Sequence, residues 1–576
     1  MYNIVYLILL YVICRYNLCL ILFMQYICVM NRKDRIIRKG PVNKRVFYLC
    51  IQVVINAIVI GVVAKGLVYL IDLITNLSFY GKFSFEPASP AYNHLGMLVL
   101  VIPILGAIVV GLMARYGSKA IGGHGIPEAM EKIILEDSRI PPALTFLKPL
   151  SAAISIGTGG PFGAEGPIIA TGGAFGSLMG QWMHISSGER KIVLAAGACA
   201  GMAAIFGSPL AAVLLAIELL LFEFSPRSII PVAIACVTGA GMHILLFGST
   251  PVFSMPEIPA PMDSALAAYV VLGLIVGVVA AGVSKSVYAI EDLFEKLPVH
   301  WMWWPAIGAI AIGVIGYFAP HTMGVGYDNI TYLLGGSWSW RILFSLCVLK
   351  YISWAVSLGS GTSGGTLAPL FTIGGALGAL LGIAGGHFFP SLGIDPATAA
   401  LAGMAAMFAG ASRALLTSVV FALETTGQPH GLLPVLGASV AAYFLSFFLM
   451  RGSIMTEKIK RRGVRTPEAY EPDVLQGMQV KQLVTAAPVI EGAYVYASDD
   501  VGFAAEMMGR YNVDQLQVRE SKDSGKVLGI ITAASILAYY SQQKQKEHIY
   551  HSPGRTRRIM VQGRKLLFLN KIKSFL

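Results

Sequence analysis

The segment Gly157-Thr158-Gly159-Gly160-Pro161-Phe162-Gly163-Ala164-Glu165-Gly166-Pro167 returns, in outline, as Gly359-Ser360-Gly361-Thr362-Ser363-Gly364-Gly365-Thr366-Leu367-Ala368-Pro369. The closing prolines stand 202 residues apart, at 167 and 369. The same offset carries Gly172, Gly173, Gly176 and Gly180 onto Gly374, Gly375, Gly378 and Gly382, and Ala200-Gly201-Met202-Ala203-Ala204-Ile205-Phe206 onto Ala402-Gly403-Met404-Ala405-Ala406-Met407-Phe408. After a small insertion, Ala216-Ile217-Glu218 answers Ala422-Leu423-Glu424. Composition alone does not hold one offset over so many positions, so this part of the chain reads as two related halves.

Around this repeat the chain is too apolar for water to be its main solvent: 55% of its 576 residues are hydrophobic and 13% are charged. Runs long enough to cross a bilayer recur, among them Val46 to Ala64, Leu95 to Ala114, Ile229 to Phe247 and Ala265 to Val283. They lack the dyad alternation of barrel strands, so the expected spanning elements are helices. The formal net charge of +12 comes from Lys and Arg beside the apolar spans and in the tail, as at 31–39 and 458–465. That placement fits a topology signal with both ends of the membrane core cytoplasmic, and not a nucleic-acid surface.

Duplication with broken helices at matching places points to a binding site near the bilayer midplane, where the halves meet. Each Gly-rich segment precedes an expected helix, Ile168 to Met183 and Leu370 to His387, whose first N–H groups and positive dipole end favour an anion. Pro167 and Pro369 fit a first turn, where a missing N–H costs nothing. The competing reading is that small residues at this spacing only let helices pack closely. It fits Gly172, Gly176 and Gly180 better than it fits the turns ending at Pro167 and Pro369. An ionisable residue such as Glu165 in an apolar helical region is a functional candidate, although a carboxylate can also cap a helix N-terminus.

Three motifs together resemble the CLC family of chloride channels and proton-coupled chloride antiporters: Gly123-His124-Gly125-Ile126-Pro127-Glu128, Gly163-Ala164-Glu165-Gly166-Pro167 and Gly365-Thr366-Leu367-Ala368-Pro369, with Ser453-Ile454-Met455-Thr456-Glu457-Lys458 after the last long helix. The resemblance covers roughly residues 45 to 463. It implies an all-α polytopic fold, an inverted repeat of tilted and broken helices, in a homodimer with one anion pathway per subunit. It further implies anion binding by Gly123, His124, Gly125, Ile126 and Pro127, by Gly163, Ala164, Gly166 and Pro167, and by Gly365, Thr366, Leu367, Ala368 and Met455, with Glu165 as the gate that couples anions to protons. The expected activity is proton-coupled chloride exchange in a bacterial-type inner membrane, with a passive channel as the alternative.

The sequence also departs from the family. His124 stands where Ser is usual, Leu367 where Phe is frequent, and Met455 where bacterial exchangers carry a Tyr. A Met cannot donate a hydrogen bond, whereas an imidazole can donate one or become cationic, or simply turn away and leave the backbone N–H groups to the ion. The antiporters' internal proton-transfer glutamate aligns with Leu219; Glu218 and Glu223 are the nearby candidates, each equally readable as a polar helix-end residue.

Residues 479–545 read as a small α/β unit with strands at 493–497, 516–518 and 527–532 and a helix over 501–510. It resembles a single CBS domain, implying pairing with the second subunit. An adenine nucleotide is the one cofactor that this resemblance brings in, and Ser535 occupies the acidic position on which such binding often depends. Residues 464–478 read as a linker and 546–576 as a basic tail. Residues 1–45 form an N-terminal segment in which 1–29 are either an extra helix or lie upstream of a true start at Met30. The seven cysteines form no CxxC pair and no Cys/His cluster, so neither a metal site nor a disulfide framework is expected. No HExxH pair and no nucleophile with its base argues for an enzyme.

Overall fold

The structure, a computed structural model, describes residues 44–135, 138–183, 185–259, 263–336, 339–461, 475, 478–485, 493–521 and 526–551. The proposed start at Met30, the basic segment at 31–39, most of the linker and residues 552–576 lie outside the described residues. The chain divides into two compact units between Glu468 and Ala469.

The first unit is helical, as it must be where no water is at hand to satisfy backbone groups. Among the described residues, eight helices are long and apolar enough to cross a membrane. Its first half comprises α1 (Lys44–Thr75), α2 (Ile102–Tyr116), α3 (Ile126–Leu135), α4 (Leu144–Gly157), α5 (Glu165–Trp182), α6 (Ser187–Phe206), α7 (Pro209–Leu215) and α8 (Pro226–Leu246). The second repeats the order as α9 (Asp263–Glu295), α10 (Trp304–Phe318), α11 (Tyr327–Leu334), α12 (Lys350–Gly359), α13 (Leu367–Phe388), α14 (Pro396–Ser412), α15 (Leu415–Thr426) and α16 (Leu432–Leu449). The packing repeats as well: α5 lies on α6 as α13 lies on α14, and α1 on α8 as α9 on α16. Pairs at equivalent places also cross between the halves, α2 with α10, α7 with α15 and α5 with α13. These self-matched pairs are what a pseudo-twofold axis generates.

Helices α5 and α13 begin three residues before the expected Ile168 and Leu370. Proline tolerates this, because the third helical N–H is also one of the four that have no intrahelical acceptor. Glu165 and Leu367 thereby become first helical residues. Farther along α5 the glycines serve close packing: a Cβ on Gly172 or Gly176 would strike the carbonyls of Gly197 and Val193, and one on Gly374 or Gly378 would strike those of Gly403 and Ala399.

The pseudo-symmetry extends to ionisable groups. Glu218 lies in a π-wound turn, Ala216–Leu221, and its two carboxylate oxygens accept from the N–H groups of Leu416 and Thr417, each at 2.9 Å, at the start of α15. Glu424 returns the contact, accepting from the N–H groups of Leu210 (3.0 Å) and Ala211 (2.9 Å) at the start of α7. Each carboxylate thus caps a helix of the other half. Replacing either by Gln puts an NH2 group against N–H donors, and should lower the unfolding temperature in detergent through a loss of roughly 2 kcal/mol. An E218Q chain as stable as wild type yet deficient in proton movement would make Glu218 a proton carrier instead of a cap.

The second unit holds a three-stranded sheet. Strand β1 (Tyr494–Tyr496) pairs in parallel with β2 (Gln515–Arg519), which pairs antiparallel with β3 (Val527–Thr532). Asp500 caps the intervening helix Val501–Tyr511 by accepting from Phe503 N–H at 2.7 Å. Val480, Val495, Val501, Leu516, Val518 and Ile531 form its core. The last helix, Ala533–His551, runs past residue 545, where the sequence places the end of the unit.

Candidate functional site

Backbone hydrogen bonds join the three Gly-rich segments. The Gly365 N–H donates to the Gly163 carbonyl at 3.1 Å, an antiparallel bridge between positions that the repeat makes equivalent. The Gly123 N–H donates to the Thr362 carbonyl (3.2 Å), and the Gly364 N–H donates back to the Gly123 carbonyl (3.4 Å). His124 and Gly166 also touch: a Cβ on Gly166 would strike the His124 carbonyl. Gly123 and Gly125 take φ of +96° and +94°, which residues with side chains rarely adopt. Elements far apart in sequence are therefore locked into one cluster, and the two duplicated turns meet inside the protein.

At its centre is Glu165, with no exposed surface. Its Oε1 accepts from the Ala368 N–H at 2.6 Å and its Oε2 from the Tyr327 hydroxyl at 3.3 Å. The carboxylate of one half thus occupies the N-terminus of α13 in the other half, where free N–H groups and the helix dipole hold negative charge. It caps a helix, but not its own. The Cβ that Gly163 lacks would lie on this carboxyl group. Thr366, Leu367, Ala368 and Pro369 are all buried around the same helix start.

A scan against family models matches residues 105–446 to the voltage gated chloride channel family. This chain belongs to the CLC family. It is 32% identical over 387 residues to the H(+)/Cl(-) exchange transporter ClcA of Yersinia pestis bv. Antiqua (strain Angola), a match covering 64% of this chain and 80% of that relative. The putative chloride channel protein ClcB-like of Ralstonia nicotianae is 26% identical over 380 residues, 65% of this chain and 89% of that one. Among solved structures, that of a slow cyanobacterial Cl-/H+ antiporter superposes with a TM-score of 0.64 at 22% identity, covering 71% of this chain and 97% of the other, which supports the CLC fold.

Beside the GHGIP segment of this CLC chain opens a cavity of about 550 Å³. Gly123, His124, Gly125, Glu128, Lys148, Ala170 of α5 and Lys458 are in its wall. Glu128 accepts from the Gly125 N–H at 2.6 Å and pairs with Lys458 at 3.5 Å. Met455 is fully buried in the apolar core, its N–H bonded to Ser453 Oγ at 3.3 Å, and is not part of that wall. Neither Glu218, engaged at α15, nor Glu223, paired with Lys191 at 3.7 Å and 42% exposed, joins the cluster around Glu165.

Tyr327 and two lysines escape the motif reading. Lys148 Nζ donates to the carbonyls of Ile121 (2.7 Å) and Gly123 (2.9 Å); its counterpart at offset 202, Lys350, donates to Thr322 O at 3.1 Å. Both are buried, and the carboxylate whose charge acts on Lys350 is that of Glu165. The signal was present in the sequence. At an offset of 201, Gly324-Val325-Gly326-Tyr327 repeats Gly123-His124-Gly125-Ile126, and Gly324 and Gly326 likewise have φ of +66° and +74°.

Proposed function

We propose that the chain exchanges chloride, or a similar small anion, for protons across a membrane, with Glu165 as the gate. One observation carries this reading: the buried Glu165 carboxylate lies on the Ala368 N–H at the start of α13, the place that the helix dipole offers to an anion. When charged, it competes with chloride for that place; when protonated, it gives the place up. The residues of the three motifs would hold the ion through backbone N–H groups, which bind an anion without a full countercharge and so release it readily. The relatives named as exchange transporters and antiporters favour the same activity, whereas the ClcB-like relative is named a putative chloride channel.

A passive channel is the second reading, favoured by Leu219, an apolar and buried residue where bacterial antiporters have an acid. Purified protein in sealed vesicles under an imposed chloride gradient separates the two. An exchanger drives protons against their gradient, whereas a channel lets chloride move without them. Absence of any anion flux would reject both.

In this proposal the transporter works as a homodimer in a bacterial-type inner membrane, its termini cytoplasmic by the positive-inside argument. The α/β unit, read as CBS-like, would pair with its copy and steady the dimer. An adenine nucleotide there would be regulatory, and the transport step itself calls for no cofactor or metal.

A further inference from the structure

We infer that the His124 imidazole carries protons between the cavity and the carboxyl group of Glu165. This rests on the reading of Glu165 as a proton-exchanging gate and adds a route by which protons reach it. A titratable group between water and Glu165 would supply such a route, and the described acids near the usual position do not. Leu219 cannot titrate, both oxygens of Glu218 are taken by N–H donors of α15, and Glu223 is half-exposed with its charge engaged by Lys191.

His124 has what that step requires. It forms part of the cavity wall yet is only 6% exposed. Its Nδ1 is buried with no hydrogen-bond partner among the described residues, the kind of polar atom that recruits an internal water. Its carbonyl abuts Gly166, the residue after Glu165, so the ring belongs to the segment seated against the gate. Imidazole is also the side chain that changes charge nearest neutral pH, and its two nitrogens let a proton enter on one side and leave on the other.

In the step itself, a proton from cavity water binds one ring nitrogen, giving the imidazolium. The other nitrogen then releases a proton through a bridging water to the Glu165 carboxylate. The ring ends neutral, the carboxyl group is protonated, and one proton has crossed. The charged groups that bias this exchange are Glu128 on α3, Lys148 on α4 and Lys458 on the helix Glu457–Arg461, with Glu131 and Lys132 on α3 and Glu291 and Glu295 on α9 also in the cavity wall. Burial disfavours the imidazolium most, Glu128 favours it and the nearby lysines oppose it, so a proton taken up by the ring is readily passed on.

The test is the reversal potential of the full-length protein in vesicles under fixed chloride and pH gradients, because that potential reads the proton-to-anion ratio independently of turnover. His124→Gln and His124→Asn, which keep a polar side chain but cannot relay a proton, should lower the ratio at least tenfold and move the potential to that of chloride alone. His124→Glu, which can titrate, should restore much of the ratio. A role limited to shaping the turn would change the rate and leave the potential where it was. Either amide variant keeping the wild-type potential overturns the inference while leaving Glu165 as gate. A wild-type protein that itself sits at the chloride potential overturns both.

Discussion

Glu165→Gln should move anions without moving protons. In vesicles under a chloride gradient, its uphill proton transport should fall at least tenfold, to background. Its anion flux should lose the dependence on pH that the wild type shows. The sign follows from the geometry and the proposed gate: the charged carboxylate holds the Ala368 N–H at 2.6 Å, where it would compete with chloride, so in the wild type lowering the pH should neutralise the competitor and raise anion flux. Gln has the same shape and no charge at any pH. A charge-assisted hydrogen bond is worth about 1.5–3 kcal/mol, or roughly ten- to hundredfold in occupancy of the helix N-terminus. The neutral amide should therefore leave the site open to anions across the pH range. Proton transport surviving in E165Q at the wild-type ratio would remove Glu165 from the mechanism.

The repeat was legible because the same local physics is written twice. Breaking a helix inside a membrane demands glycine and proline at fixed places, and that demand survives as Gly163 to Pro167 and Gly365 to Pro369 whatever the rest of each half does. The meeting of the two turns follows from the same duplication, since a twofold axis brings equivalent positions such as Gly163 and Gly365 together. Less legible were partnerships between elements that share no local pattern. The Tyr327 hydroxyl reaches Glu165 across 162 residues of sequence, and no periodicity announces it. The signal that would have found Tyr327 was a one-residue slip of the repeat, from an offset of 202 to 201, which a fixed offset passes over. The insertion that shifts the offset again before Glu218 and Glu424 separates these two from the glycines. Their matched capping of α15 and α7 emerges only when both helices are seen end to end.

Helix starts are hard to read from the sequence for a different reason. The proline suggests a start beside it, but its missing N–H is harmless anywhere in the first turn. The three extra residues matter for function. They make Glu165 the first residue of its helix, with its carboxylate on the second N–H of the opposing one, so that the proposed gate and the proposed anion site belong to different halves of the repeat.

Gly365→Ala should be severely damaging, because what it would displace is backbone. A Cβ at 365 would stand 2.6 Å from the Gly163 carbonyl oxygen, 3.0 Å from the Gly166 nitrogen and 3.1 Å from Glu165 Oε1. The first two atoms cannot rotate away. Relief requires one turn to retreat from the other, and the Gly365 N–H to Gly163 carbonyl bond at 3.1 Å is lost with it. Glu165 and the start of α13 then no longer face each other at hydrogen-bonding distance, so the competition between carboxylate and anion for one place fails. The expected result is a protein that inserts and purifies but moves anions at least a hundredfold more slowly, with a stability loss of about 1–3 kcal/mol typical of overpacking. Gly282→Ala is the matched control: it lies within α9 with none of the described residues inside 4 Å of the added carbon, and alanine is the better helix former. It should transport within twofold of wild type. G365A transporting at that same rate would mean that the two turns need not touch for the ion to pass, and the shared site between the halves would have to be abandoned.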